Sequence, residues 1–254
     1  MMWCAGSVRF RGEAMREFNA DLHIHTCLSP CAGLEMSPKQ IVSEARRKGL
    51  HVIGICDHNS AENVPAVMQS GARVGLQVIG GMEVTSREEV HVLALFEDNE
   101  KLFALQQAVY ENLHGVNDET LFGDQVIVNE EEEVLGFSDK LLIGATDLDI
   151  DRLVALIHTL GGLAVAAHVD REGFGIIGQL GFIPPELPLD ALELADPSAR
   201  PSIPGHDRYS FVTGSDAHEL CRIGARYSRF WMEGVSIEEI RKCFLGIEGR
   251  RVET

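Results

Sequence analysis

Residues 19–26 read Asn-Ala-Asp-Leu-His-Ile-His-Thr, and this stretch decides the fold. Apolar and polar residues alternate along it, the mark of a strand. Side chains two apart on a strand share a face, so His23 and His25 can meet one metal ion at its C-terminal end. Such a pair alone is as compatible with structural histidines. The strands that follow change this. Residues 51–57 form a second strand ending Asp57-His58-Asn59. Residues 76–85 form a third carrying Glu83, and 90–96 a fourth carrying His91. Residues 163–168 are almost wholly apolar, as a strand buried on both faces requires, and end at His168. A strand at 189–195 precedes one at 210–215, which runs into Gly214-Ser215-Asp216-Ala217-His218. Six strands thus deliver a histidine or an acid at or near their C-terminal ends. In a barrel of parallel strands those ends form one mouth, where active sites are built.

Helical patterns separate the strands, so the class is α/β with a mainly parallel sheet. Ser37, Pro38 and Gln40 form a helix start with a capping box, and Ile41, Val42 and Ala45 form its apolar side. A helix is expected over 99–114. Residues 115–148 have no clear period and read as a partly helical insertion covering one side of the barrel. Its acidic run, Glu130 to Glu133, reads as a solvated helix start. Leu153, Leu156, Ile157 and Leu160 form a core stripe, stopped by Gly161-Gly162. A second capping box, Ser236 to Glu239, opens the last helix, which buries Ile237, Ile240 and Phe244. Residues 15–254 are read as one domain and residues 1–14 as an N-terminal extension with no role in the fold.

Of the 254 residues 45% are hydrophobic, enough for a sizeable core. Twenty-two basic residues against 39 acidic give a net charge of −17. That balance argues against duplex nucleic acid as a partner, because phosphate contacts need a basic surface. A small anionic substrate is compatible with it if metal ions and a few arginines supply local positive charge. Six cysteines scattered through a chain this long point to a reducing compartment rather than a disulfide framework. With no apolar run of membrane-spanning length and no secretory pattern at the start, a cytoplasmic location is expected.

Imidazole and carboxylate donors together suit Zn, Mn or Fe, and a carboxylate such as Glu83 can bridge two ions. The ordered motifs Asp-Leu-His-Ile-His-Thr, Cys-Asp-His-Asn, Gly-Met-Glu-Val, a following histidine, Ala-His-Val-Asp and Gly-Ser-Asp-Ala-His resemble the PHP (polymerase and histidinol phosphatase) domain family from about Asp21 to His218. The resemblance implies a distorted TIM-like barrel of seven parallel strands and seven helices, and two or three divalent ions. It implies that His23, His25, Glu83 and Asp216 hold a first ion, and that Glu83, His91 and His168 hold a second. His58 and His218 would hold a third. The family's further ligand to that ion, commonly His or Asp, falls at Cys31, with Cys27 and Glu35 as fallbacks. A thiolate would bias that ion toward zinc or iron. Asp57 is expected to orient an imidazole or carry a proton, and His218 to share in catalysis. Arg171 and Arg222, then Arg226, are candidates to clamp phosphate oxygens. His51, His114, His158 and His206 read as structural.

The expected activity is hydrolysis of a small phosphomonoester by in-line attack of a metal-activated water. The alternatives are a phosphodiesterase or exonuclease on nucleotides or short oligonucleotides, and a non-catalytic metal-binding module. An amidohydrolase would need a lysine at a later strand end, and no lysine lies between Lys140 and Lys242.

Overall fold

The computed structural model describes residues 14–254, so residues 1–13 of the expected extension lie outside the described residues. The elements are β1 (Arg16–Ile24), α1 (Pro38–Arg47), β2 (Val52–Ile55), α2 (Val64–Val74), β3 (Gln77–Thr85), β4 (His91–Phe96), α3 (Asn99–Asn112), α4 (Glu119–Phe122), β5 (Val126–Val128), β6 (Val134–Phe137), α5 (Ile150–Thr159), β7 (Leu163–Ala166), α6 (Ile176–Leu180), β8 (Ala191–Glu193), β9 (Phe211–Val212), β10 (Ser228–Met232), α7 (Ile237–Leu245) and β11 (Arg251–Glu253).

Nine strands form one sheet in the order β11-β10-β1-β2-β3-β4-β7-β8-β9. It curls into a nearly closed barrel, because the segment after β9 returns to β1. There Ile24 and Ala217 form a parallel bridge, and the His25 N–H donates to the Ala217 carbonyl at 3.0 Å. Burial is split between the two faces of the sheet. Leu22, Val52, Ile79, Leu93, Val165 and Phe230 form one cluster with Ile240 and Phe244 of α7. Ile53, Ile55, Val84 and Ala94 face the helices through Ile41, Val67, Leu102 and Leu153.

The strands are not all parallel. β4 runs antiparallel to both β3 and β7, and β10 antiparallel to β1. Only residues 86–90 separate β3 from β4. A parallel connection needs a crossover of about a dozen residues or more, so this link can only make a hairpin. His91 therefore reaches the mouth from the N-terminal end of its strand.

The insertion holds α4 and a two-stranded sheet of β5 and β6. Its acidic run is the turn between those strands and not a helix start. Glu132 accepts from Ser37 Oγ at 2.6 Å and from the Lys39 N–H at 3.2 Å. Ser37 makes no side-chain cap of its own on α1, so a carboxylate from the insertion fills that place.

Candidate metal centre

Strict alternation would put His23 opposite Leu22 and beside Asp21 on β1. The register of β1 against β2 slips by one residue between Asp21 and Ile24. This bulge leaves Leu22 in the cluster with Phe230 while Ile24 joins the helix-facing layer. Bulges re-aim side chains in this way next to active sites. Gly54 on β2 allows it, since a Cβ there would lie 2.4 Å from the Leu22 carbonyl oxygen. His23 and His25 are both fully buried.

Two carboxylates converge on them and complete a group of four donors. The Nε2 atoms of His23 and His25 stand 3.1 Å apart. Asp216 Oδ1 lies 3.4 and 3.3 Å from them, and the Glu83 carboxylate 3.4 Å from each. Hydrogen bonding assigns the tautomers. Ser29 Oγ donates to Asp57 Oδ1 at 2.7 Å, so its proton is taken. His25 Nδ1, 2.9 Å from the same oxygen, must donate to it. His23 Nδ1 donates to Glu193 Oε2 at 2.9 Å. With both rings neutral, the two Nε2 lone pairs would point at each other, an arrangement that a cation between them resolves, either a metal ion or, without one, a proton that the neighbouring carboxylates favour. Donors holding one ion tetrahedrally at about 2.0–2.2 Å stand roughly 3.3–3.6 Å apart. The spacings here are close to that, so the residues fit a metal ion.

Two further groupings share these residues. His25, His58 and His218 can bring donor atoms within 4.8 Å of one another, as can His58, Glu83 and His91. His91 Nδ1 lies 2.8 Å and His168 Nε2 3.2 Å from Glu83 Oε1. His58 Nδ1 and Glu83 Oε2 face each other at 3.0 Å, yet each is buried without a hydrogen bond. Buried polar atoms left unpaired at such a separation again fit an ion. His168 and Asp216 hold positive φ angles of 29° and 51°. For non-glycine residues that conformation costs about 1–3 kcal/mol each and collects at functional sites.

Electrostatics separates the imidazoles. Burial opposes charge on His25, but Asp216 and Glu83 outweigh it and lift the ring to about 9. His23 is raised well above its ordinary value by Glu193, Glu83 and Asp216, again against burial. Burial lowers His58 to about 4 against the pull of Glu83. Burial and the neighbouring His25 lower His218 to about 3. Burial disfavours charge on Glu83 and Asp216, yet the surrounding histidines hold both carboxyls well below the usual range.

The remaining expected residues fall outside the groupings or take other roles. Cys31 is exposed in the loop after β1 and joins no donor group. Desolvation there, with Glu83 and Asp216 nearby, pushes its thiol up to about 12. Cys27 is buried with Val126 and Val128, and Glu35 is exposed. Asp57 is fully buried, accepting from the Thr26 N–H at 2.6 Å, Thr26 Oγ1 at 2.8 Å and Ser29 Oγ. These bonds fix the turn after His25, the arrangement expected of a carboxylate that orients its neighbours. His218 Nδ1 donates to the Asp216 carbonyl at 2.9 Å, which leaves Nε2 bare. Arg171 Nη1 donates to Asp216 Oδ2 at 2.6 Å from the rim. Arg222 is exposed in the turn after His218. Arg226 is spent on the carbonyls of Gly214 and Ser215. His51 accepts from the Asn19 N–H, and His114, His158 and His206 pair with Asp147, Asp190 and Asp207.

Three residues of the site were missed. Ser29 and Glu193 fix the two tautomers. Asp21 accepts from the N–H groups of Ser215 and Gly224, both at 2.9 Å, and so holds the Asp216 loop over β1. Glu193 was findable as a lone acid inside an apolar strand. Ser29 carries no such signal.

Residues 21–172 match the family model described as the PHP domain. Among curated proteins, the phosphoribosyl 1,2-cyclic phosphate 1,2-diphosphodiesterase of Eggerthella lenta is 29% identical over 80 residues, 30% of this chain and 29% of that protein. The 5′-3′ exoribonuclease of Haemophilus influenzae is 29% identical over 93 residues, 35% of this chain and 33% of that protein. The chain thus spans about a third of the length of either. Among solved structures, the lesion-specific endonuclease Q of Pyrococcus furiosus superposes with a TM-score of 0.72 at 21% identity, over 93% of this chain and 58% of that one. A complex of endonuclease Q with a 27-mer duplex carrying an abasic lesion gives a TM-score of 0.71 at 22% identity, with the same coverage. The exclusion of duplex nucleic acid drawn from net charge is therefore corrected, since a protein with this fold takes a duplex at its active site. Net charge sums every charged side chain, whereas a ligand meets only the local field of the mouth it enters.

Proposed function

The chain belongs to the PHP domain family and is by family a metal-dependent phosphoesterase, and on that premise we propose that it hydrolyses phosphodiesters of the nucleotide or sugar-phosphate kind. The observation that carries the hydrolytic reading is the facing pair of Nε2 atoms of His23 and His25, closed by Glu83 and Asp216. The choice of a diester over the monoester first expected rests on the relatives, whose names denote a cyclic phosphodiesterase and two nucleases.

Ions held there supply water activation and charge stabilisation on the phosphate oxygens. The chain's own residues do the rest. His23, His25, Glu83 and Asp216 would hold one ion. Glu83 also faces His58, His91 and His168 and would bridge to a second, with His58 and His218 available to a third. Zn, Mn and Fe all suit this donor set. Arg171 stands at the rim within reach of a phosphate oxygen, and exposed Arg222 is a second candidate. Burial and His25 hold His218 down to about 3, which favours a role as a donor atom over a source of protons.

The test compares bis(p-nitrophenyl) phosphate with p-nitrophenyl phosphate on protein loaded with Mn²⁺ or Zn²⁺. Faster turnover of the diester is expected, and its abolition in a His25→Ala protein that remains folded. Preference for the monoester would overturn the substrate class.

A further inference from the structure

The loop after His168 sets an arginine and an aromatic ring against two residues of the cluster. Arg171 reaches Asp216, with its side chain 40% exposed. Three residues on, the Phe174 ring stacks on His91 with centroids 4.4 Å apart and planes at 20°. His91 is buried beneath it, while Phe174 is 41% exposed, so the ring covers the cluster with one face and turns the other to solvent.

The backbone holds this ring out deliberately. Phe174 has a φ of 60°, a conformation that costs a bulky residue energy. Its carbonyl accepts from the His91 N–H at 2.9 Å, tying the loop to the first residue of β4. Gly175 lets the chain turn back, since a Cβ there would lie 2.5 Å from the Arg171 carbonyl oxygen. A large apolar residue is thus kept exposed, in a strained conformation, beside a cation and a cluster built for phosphate. Shielding His91 would require neither the exposure nor the arginine.

We propose that Phe174 is a stacking platform for the ring of a nucleobase, and that Arg171 takes the adjacent phosphate. This rests on the phosphodiesterase reading and narrows its substrate to nucleotide units with an unstacked base. Aromatic side chains hold single-stranded bases in this way, because every base has a flat π face.

The test is calorimetric binding of AMP and of ribose 5-phosphate to the metal-loaded protein, two ligands that differ by the base alone. Stacking predicts that AMP binds about 5- to 100-fold more tightly. Phe174→Leu should remove that difference, and Phe174→Trp should retain it. Arg171→Ala should weaken both ligands alike. Metal content of each variant, measured in parallel, separates loss of the platform from damage to His91. Equal affinity of the two ligands for the wild-type protein, no binding of either, or an equal loss of both in Phe174→Leu would overturn the proposal. Failure on the diester assay with the AMP preference intact would instead count against the hydrolytic reading alone.

Discussion

Glu193 touches no substrate, yet two features of the mouth hang on it. Its Oε2 accepts from both His23 Nδ1 and the His168 N–H. Partners of this kind typically change metal affinity 10- to 100-fold when lost. Glu193→Ala is therefore expected to lower affinity at the His23 site by about 10- to 100-fold, measured by competition with a chromophoric chelator. Ser29→Ala should act similarly through His25, and Ser29→Thr should restore most of the loss because it returns the hydroxyl. That His23, His25, His58, Glu83, His91, Asp216 and His218 would gather was readable in the sequence, because histidines and acids at the ends of apolar strands have few structural uses. Ser29 was not, because a serine in a loop is ordinary until its neighbours are known. Cys31 stands apart from the donor groups because its offset from His25 follows the chain, whereas grouping depends on where the loop carries the thiol.

At the level of elements, strand existence followed from alternation and apolar runs, and strand direction did not. The evidence for β4 was nonetheless present, since the five residues between β3 and β4 are too few for a crossover. The bulge in β1 left no mark in the pattern, because a one-residue slip alters the faces and not the composition. Helix ends were better served. Ser236 Oγ accepts from the Glu239 N–H at 3.1 Å, as the capping box required, and Ser236→Ala should cost about 1 kcal/mol in urea unfolding. The same helix is clasped by Arg250, whose Nε and Nη2 each donate to Glu239 at 3.0 Å. Although burial opposes it, Arg250 holds the Glu239 carboxyl below its ordinary 4.5. The folded carboxyl thus binds its proton less readily than the unfolded one. The clasp should contribute fully above pH 4.5 and be lost as pH falls through the lower folded value. Glu239→Gln should flatten that part of the acid unfolding curve.

Across the whole molecule, charge was the least informative part of the sequence. A net of −17 counts every charged side chain, while the mouth sets its carboxylates among histidines. Binding of a short single-stranded oligonucleotide should therefore depend weakly on salt. With Arg171 and Arg222 as the phosphate contacts, the slope of log K against log salt should be no steeper than about −1.4. A much steeper slope would reveal a basic track elsewhere. Metal should also report on stability. Ions at about 100 times their dissociation constant are expected to raise the unfolding free energy by about 2.7 kcal/mol, and a chelator to reverse it.

The hairpin of β3 and β4 has a bearing on how the chain acquires its shape. Glu83 and His91 are neighbours in sequence and meet through a contact that closes fast, whereas Asp216 and His218 must return from the far end of the chain. A growing polypeptide therefore carries half of the cluster well before the barrel can shut. An ion captured at that stage gives the late segment after β9 a charged target on which to land. Refolding with metal present from the start should then close the barrel faster than refolding followed by metal addition.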